Sequence, residues 1–227
     1  MSFTKSIITF LACLFGLNIV FTQSDFESLG ETAFALNTNI SSDYKINFAL
    51  RSRYYLYQDE SFNFENRQID LVHFSTFSID YNKSVSFGLQ YRFRESIDGS
   101  SNELRVTQQF NYTKKREGLR FGHRIRIEQR ILNEFTIFRT RYRFALDFPL
   151  KGQKLDVNEA YFIGAVEALL SISKSISPEF DQRTTVQIGW LLPHQLRLQL
   201  GLEYRFEAFN LNTEKRLFVL TSAILKI

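Results

Sequence analysis

An all-β protein is predicted: a transmembrane, antiparallel, up-and-down β-barrel of 10 strands, with 12 as the alternative. Three observations predict it. From about residue 44 to residue 227 the chain is a series of long segments in which apolar and polar side chains alternate, and a period of two belongs to extended strands, whose successive side chains leave opposite faces. Short polar breaks separate the segments and hold all three prolines, Pro149, Pro178 and Pro193, where a missing ladder donor costs nothing. An apolar leader precedes them.

In that leader, Met1 to Lys5 carries one positive charge and Ser6 to Phe21 is an almost unbroken apolar run. This is the layout of a secretory signal peptide, whereas a permanent membrane helix needs about 20 apolar residues with clearer flanks. Val20 and Thr22 are small enough to precede a cleavage site, so residues 1–22 are assigned to the signal and residues 23–227 to one barrel domain. The single cysteine, Cys13, lies in the leader, so the mature chain has no disulfide framework, thiolate metal site or cysteine nucleophile. No Pro-, Gly- or Ser-rich linker divides the remainder.

The segments follow in order. Tyr44 to Tyr57 sets Tyr44, Ile46, Phe48, Leu50, Tyr54 and Leu56 against Lys45, Asn47, Arg51 and Arg53. Ile69 to Tyr81 alternates less cleanly, because Val72 and Phe74 interrupt it. Ser84 to Glu95 is the cleanest, with Val85, Phe87, Leu89, Tyr91 and Phe93 on one face. Then come Glu103 to Lys114, Leu119 to Ile131, Phe135 to Phe148, Asn158 to about Leu170, Arg183 to Leu192, Gln195 to Glu207, and Arg216 to Ile227. A weaker strand over Thr32 to Thr38 is a candidate eleventh, and the even strand number usual in bacterial barrels would then ask for a twelfth.

Alternation alone does not say which face is outside, since a soluble barrel carries the same period with its apolar side inward. The membrane version is favoured by strand lengths above the about 9 to 11 residues that a tilted span needs. Glycines on the polar faces, Gly88, Gly122, Gly189 and Gly201, suit a crowded lumen, and aromatics gather near segment ends as interfacial girdles do. Short and long breaks roughly alternate, with exceptions at Leu132 to Glu134 and Lys151 to Asp156. The last segment alternates to Ile227, a residue that departs from the aromatic end common in outer-membrane barrels.

One stretch is distinctive. His123, Arg124, Arg126, Glu128, Gln129 and Arg130 are followed by Phe138, Arg139, Arg141, Tyr142 and Arg143, written HRIRIEQR…FRTRYRF, and then by an Asn158-Glu159 step. This text resembles an uncharacterised family of outer-membrane β-barrel proteins of Bacteroidota, catalogued as a domain of unknown function. The resemblance implies the barrel and the outer membrane, and brings no catalytic residues.

Arg124, Arg126, Glu128 and Arg130 share one strand face and Arg139, Arg141 and Arg143 share one on the next, so the rows are expected to be cross-strand neighbours. A lipid-facing arginine near the midplane costs about 2 to 4 kcal/mol, so both rows are expected in the lumen. Glu159, with Glu95, Glu103, Glu203 and Glu207, is expected to offset their charge. Two readings of such a lumen stand: a salt-bridged network that seals and stiffens a narrow barrel, or an interior that attracts a small anionic solute through oriented guanidinium groups.

The expected role is therefore non-enzymatic, either structural and surface-interacting or a narrow, anion-leaning pore. The competing reading is a lipid hydrolase. His73 and Ser75 form a His-x-Ser step on one strand face, a spacing that resembles outer-membrane lipid hydrolases, but a nucleophile and base also need a third group to orient them. Thr76 and Phe77 follow, and neither supplies one. No cluster has metal-ligand spacing and no cofactor is implied. The net charge of +4 is modest, and basic residues on alternating strands lack the context of a nucleic-acid module. The expected partners are outer-membrane lipid, lipopolysaccharide and the barrel-insertion machinery.

Overall fold

A computed structural model describes residues 26–58 and 60–227; the leader assigned to residues 1–22 lies outside the described residues. Eleven strands close into one barrel: β1 (Glu27–Asn39), β2 (Tyr44–Tyr57), β3 (Asn66–Asp80), β4 (Lys83–Phe93), β5 (Glu103–Arg116), β6 (Leu119–Ile131), β7 (Thr136–Pro149), β8 (Glu159–Ile172), β9 (Glu179–Leu191), β10 (Arg197–Glu207) and β11 (Glu214–Lys226). The only helical pieces among the described residues are one turn of α1 (Glu95–Asp98) and a 3₁₀ turn over Pro193–Gln195. Neither is long and apolar enough to cross a membrane.

The expected counts of 10 and 12 are both corrected to 11. The segment around Thr32 to Thr38 is a full strand of 13 residues, β1. It was faint in the sequence because its inward side carries the small residues Ala33 and Ala35 and the polar Asn37, so hydrophobicity barely alternates. The even-number rule fails for a geometric reason. Strands laid alternately up and down leave the first and the eleventh pointing the same way, so β1 pairs β11 in parallel, from Glu27 opposite Arg216 to Asn37 opposite Lys226. Every other neighbouring pair is antiparallel. Pro149 is the last residue of β7 and not part of a break.

One mouth of the barrel carries the two tightest turns, at 81–82 and 117–118. The second uses Glu117 and Gly118, both at positive φ, the backbone that two-residue hairpin turns demand. The opposite mouth carries the loops 58–65, 94–102, 132–135, 173–178 and 208–213. We call these the turn mouth and the loop mouth.

The wall is apolar outside and charged inside. Phe34, Phe48, Leu50, Phe87, Ile125, Phe138, Val186 and Leu200 are exposed on its outer surface, whereas Gln68, Asp70, Arg92, Glu103 and Glu128 are each no more than 3 % exposed on the inner one. A soluble barrel has the opposite polarity.

Aromatic rings fill part of the interior by lying over glycines on the facing strand. Phe74 is opposite Gly88 and Tyr161 opposite Gly189, and a Cβ built on either glycine would come within 2.3 Å of the ring. The Val72 and Phe74 interruption of the β3 pattern thus marks residues that fill the lumen, with Val72 4 % exposed. Gly201 is similarly crowded by Gln187, while Gly122 meets nothing closer than Ala145 at 4.0 Å. Gly189→Val is expected to destabilise the barrel by about 1–3 kcal/mol through overpacking. Urea unfolding in detergent checks this, and combining the change with Tyr161→Ala should cost less than the sum of the two single changes.

Candidate functional site

The two arginine rows stand on adjacent strands, β6 and β7, in register: Arg124 opposite Arg143, Arg126 opposite Arg141, and Glu128 opposite Arg139. Alternation turns all of them away from exposed Ile125, Ile127, Phe138 and Tyr142 and toward the lumen. Arg124, Arg126, Arg130, Arg139, Arg141 and Arg143 line a central cavity of about 650 Å³. Fifteen arginines line it against seven acidic residues, and three carboxylates, Asp70, Glu103 and Glu128, are buried behind them.

The carboxylates act as hubs. Glu103, at the start of β5, is fully buried and receives Arg130 at 2.6 Å, Arg105, Arg92 at 3.6 Å and Arg94 at 3.7 Å. Asp70 of β3 accepts two hydrogen bonds from Arg92, at 2.7 and 2.8 Å, and one from Gln90 at 2.9 Å. Glu128 pairs with Arg126 at 3.3 Å and Arg141 at 3.1 Å, and Arg141 reaches on to Glu167 at 2.6 Å. Toward the loop mouth, Glu207 gathers Arg183, Arg205 and Arg216. Burial pushes Arg94, just past the end of β4, below the ordinary arginine value, and Glu103 opposes that drop.

Four lining arginines form no ion pair among the described residues: Arg51, Arg67, Arg124 and Arg143. Arg67 lies over the Tyr55 ring and Arg124 donates to the Asn111 side chain at 3.2 Å. Arg124 and Arg143 are direct cross-strand partners, and like charges in that relation repel. Neither makes an ion pair among the described residues, and the carboxylate in register with Arg143 is Glu167 of β8, which bonds Arg141 instead.

Of the expected compensators, Glu103, Glu203 and Glu207 do pair with lumen arginines. Glu159 does not. It accepts the backbone N–H of Asp156 at 3.1 Å and so closes its own loop at the turn mouth. Glu95 accepts from Asn102 in the 94–102 loop. Both sit where a strand begins or has ended, so loop geometry sets their direction. Asp70, Glu128's partner Glu167, and Asp181, which alternation alone does not single out, lie on inward faces and pair with arginines one or two strands away.

His73 and Ser75 occupy the opposite surface of the wall. They alternate with lumen-facing Val72 and Phe74 and share the outer face of β3 with exposed Leu71 and Phe77. His73 Nε2 is 3.2 Å from Ser75 Oγ, and Nδ1 is 3.1 Å from the main-chain oxygen of Asn47. The hydroxyl of Tyr44, whose ring stacks on Phe77 at 4.5 Å, is 3.0 Å from Ser75 Oγ. Among the described residues no group of three or more His, Asp or Glu side chains is placed to hold a metal.

Compared with known proteins, residues 32–215 match a family model described as a protein of unknown function, DUF2490. No curated protein and no solved structure matches the chain.

Proposed function

The chain belongs to the DUF2490 family, whose description assigns no activity, and from the barrel's own chemistry we propose an integral bacterial outer-membrane protein whose lumen takes up small anions. The observation that carries this reading is the inverted polarity of the wall: apolar side chains outside, fifteen arginines around the cavity within. An apolar exterior of this extent needs a lipid solvent, because monomeric soluble proteins rarely expose contiguous apolar patches above a few hundred Å². Its strands, 11 to 15 residues long, reach or exceed the about 9–11 residues of a tilted span.

The anion preference follows from the excess of guanidinium groups and from Arg124 and Arg143, which face each other without a carboxylate between them. Guanidinium forks match phosphate and carboxylate oxygens bidentately. A volume of about 650 Å³ is that of a small-molecule site, far from the aqueous channel of a 16- to 18-stranded porin. Hub carboxylates hold most of the arginines in place, and the unpaired ones are left for the solute.

In planar bilayers under a salt gradient, the folded protein is expected to show a reversal potential favouring the anion, and Arg124→Glu with Arg143→Glu to abolish or invert it. A binding site without through-passage would instead show phosphate stabilising the barrel against urea, by about 2.7 kcal/mol at a hundred times the Kd, and losing that effect in Arg124→Gln with Arg143→Gln. Cation preference in the unaltered protein overturns the proposal. So does the absence of both conductance and phosphate stabilisation.

A further inference from the structure

The outer wall carries a polar chain that the lumen does not explain. We propose that Tyr44, Ser75 and His73 form an ester-hydrolysing site on the barrel's outer face, acting on acyl esters of the surrounding lipid. Its lipid specificity rests on the membrane reading given above; its chemistry does not.

The hydrogen bonds fix the direction of the proton path. The Asn47 main-chain oxygen can only accept, so His73 Nδ1 carries the proton and donates to it at 3.1 Å. That leaves Nε2 with its lone pair toward Ser75 Oγ at 3.2 Å, the tautomer a general base requires. Ser75 therefore donates to His73, and Tyr44 donates to Ser75 at 3.0 Å. The third member that the residues after Ser75 could not supply comes from the backbone of β2, across a strand pairing that sets Phe48 opposite His73. The Phe48 ring, 4.5 Å from the imidazole, limits its rotation.

The surroundings suit an apolar substrate. Exposed Phe48, Phe77, Phe87 and Leu89 surround the three polar groups. Ser75 lies five residues from Asp80, the end of β3. At the usual rise and tilt this is about 13 Å from the turn mouth, with exposed Phe77 and Ile79 on the turn side and exposed Leu71 on the other, so an acyl ester would meet the site within the apolar band. The other outward histidine makes a useful contrast: His123 bonds the Tyr142 hydroxyl at 2.9 Å, and that pair includes no serine.

The reaction needs only water besides the ester. Ser75 Oγ bonds to the carbonyl carbon as its proton passes to His73 Nε2, and the Tyr44 hydroxyl turns to donate to the oxygen that gains the charge. The bond to the alcohol oxygen then breaks, and His73 returns the proton to that oxygen. Water attacks the acyl-serine, gives a proton to His73, and the carboxylic acid leaves as Ser75 recovers its own. Ser75 and His73 are the catalytic residues; the Asn47 carbonyl positions His73.

The full chain, folded in detergent and then in phosphatidylethanolamine vesicles, is tested with a fluorophosphonate probe, p-nitrophenyl butyrate and the vesicle lipid itself. Labelling is expected at Ser75, with fluoride as leaving group, and it should vanish in Ser75→Ala and His73→Gln while both variants keep the native heat-dependent gel shift. Tyr44→Phe should lower kcat about 100-fold with little change in KM, as expected for one oxyanion donor. No labelling and no cleavage of either ester by the unaltered protein overturns the site. Butyrate cleavage with intact vesicle lipid overturns the lipid substrate and leaves the dyad standing. Unchanged kcat in Tyr44→Phe removes Tyr44 from the reaction. Should the alanine variant fail to fold, mass spectrometry locates the probe adduct on the unaltered protein, and an adduct on any residue other than Ser75 overturns the site.

Discussion

Replacing Glu103 by glutamine is expected to lower the unfolding free energy by about 3–5 kcal/mol, the cost of breaking a buried ion pair by removing one partner. Glu103 has no exposed surface and is shared by Arg92, Arg94, Arg105 and Arg130, so the neutral amide leaves four guanidinium groups to repel one another with one carboxylate fewer. Arg92 keeps its paired hydrogen bonds to Asp70; Arg94, Arg105 and Arg130 lose their only ion pairs among the described residues. Urea titration in detergent, followed by tryptophan fluorescence and by the gel shift, measures the loss. A second change tests the cause: adding Arg105→Gln should recover part of it, because removing both partners is cheaper than stranding one. A loss below about 1 kcal/mol would show that water, not Glu103, solvates these arginines.

Phe218→Ala is expected to cost a similar amount, about 3–5 kcal/mol, for a different reason. Phe218 of β11 is 1 % exposed and stands directly opposite Leu29 of β1, itself fully buried, across the parallel seam. The Arg205 guanidinium lies 3.6 Å from the ring centroid and that of Arg53 lies 5.4 Å away, an attraction worth about 2 kcal/mol or more where water is excluded. Truncation opens a cavity at the seam and removes the ring against which both arginines rest. Leu200→Ala, on the exposed outer face, removes apolar atoms without a cavity and should cost much less under the same urea titration. Equal losses at the two positions would contradict this account.

Much of the wall was legible because a two-residue period leaves little freedom: once Ile125 and Ile127 face outward, Arg124 and Arg126 must face inward. The adjacency of the β6 and β7 rows was legible for the same reason, a short connection between consecutive strands. What escaped was whatever depends on closure. β1 was faint because Ala33 and Ala35 make poor contrast with Thr32 and Thr38, and its pairing with β11 joins residues at opposite ends of the chain, such as Glu27 with Arg216. The hubs escaped because pattern shows that Asp70 and Glu103 point inward, yet not that Arg92 reaches both. For His73, the orienting group is a backbone oxygen on another strand, and a backbone oxygen has no letter in a sequence.

The parallel seam has a consequence for sidedness. β1 sets out from the loop mouth and β11 arrives at the turn mouth, whereas a chain making an even number of crossings returns to the side it left. Whatever is joined ahead of Glu27 and whatever is joined after Lys226 are therefore held on opposite faces of any sheet the barrel spans. The wall is a covalent stitch, able to carry a tether on one side and a tether on the other with no further crossing.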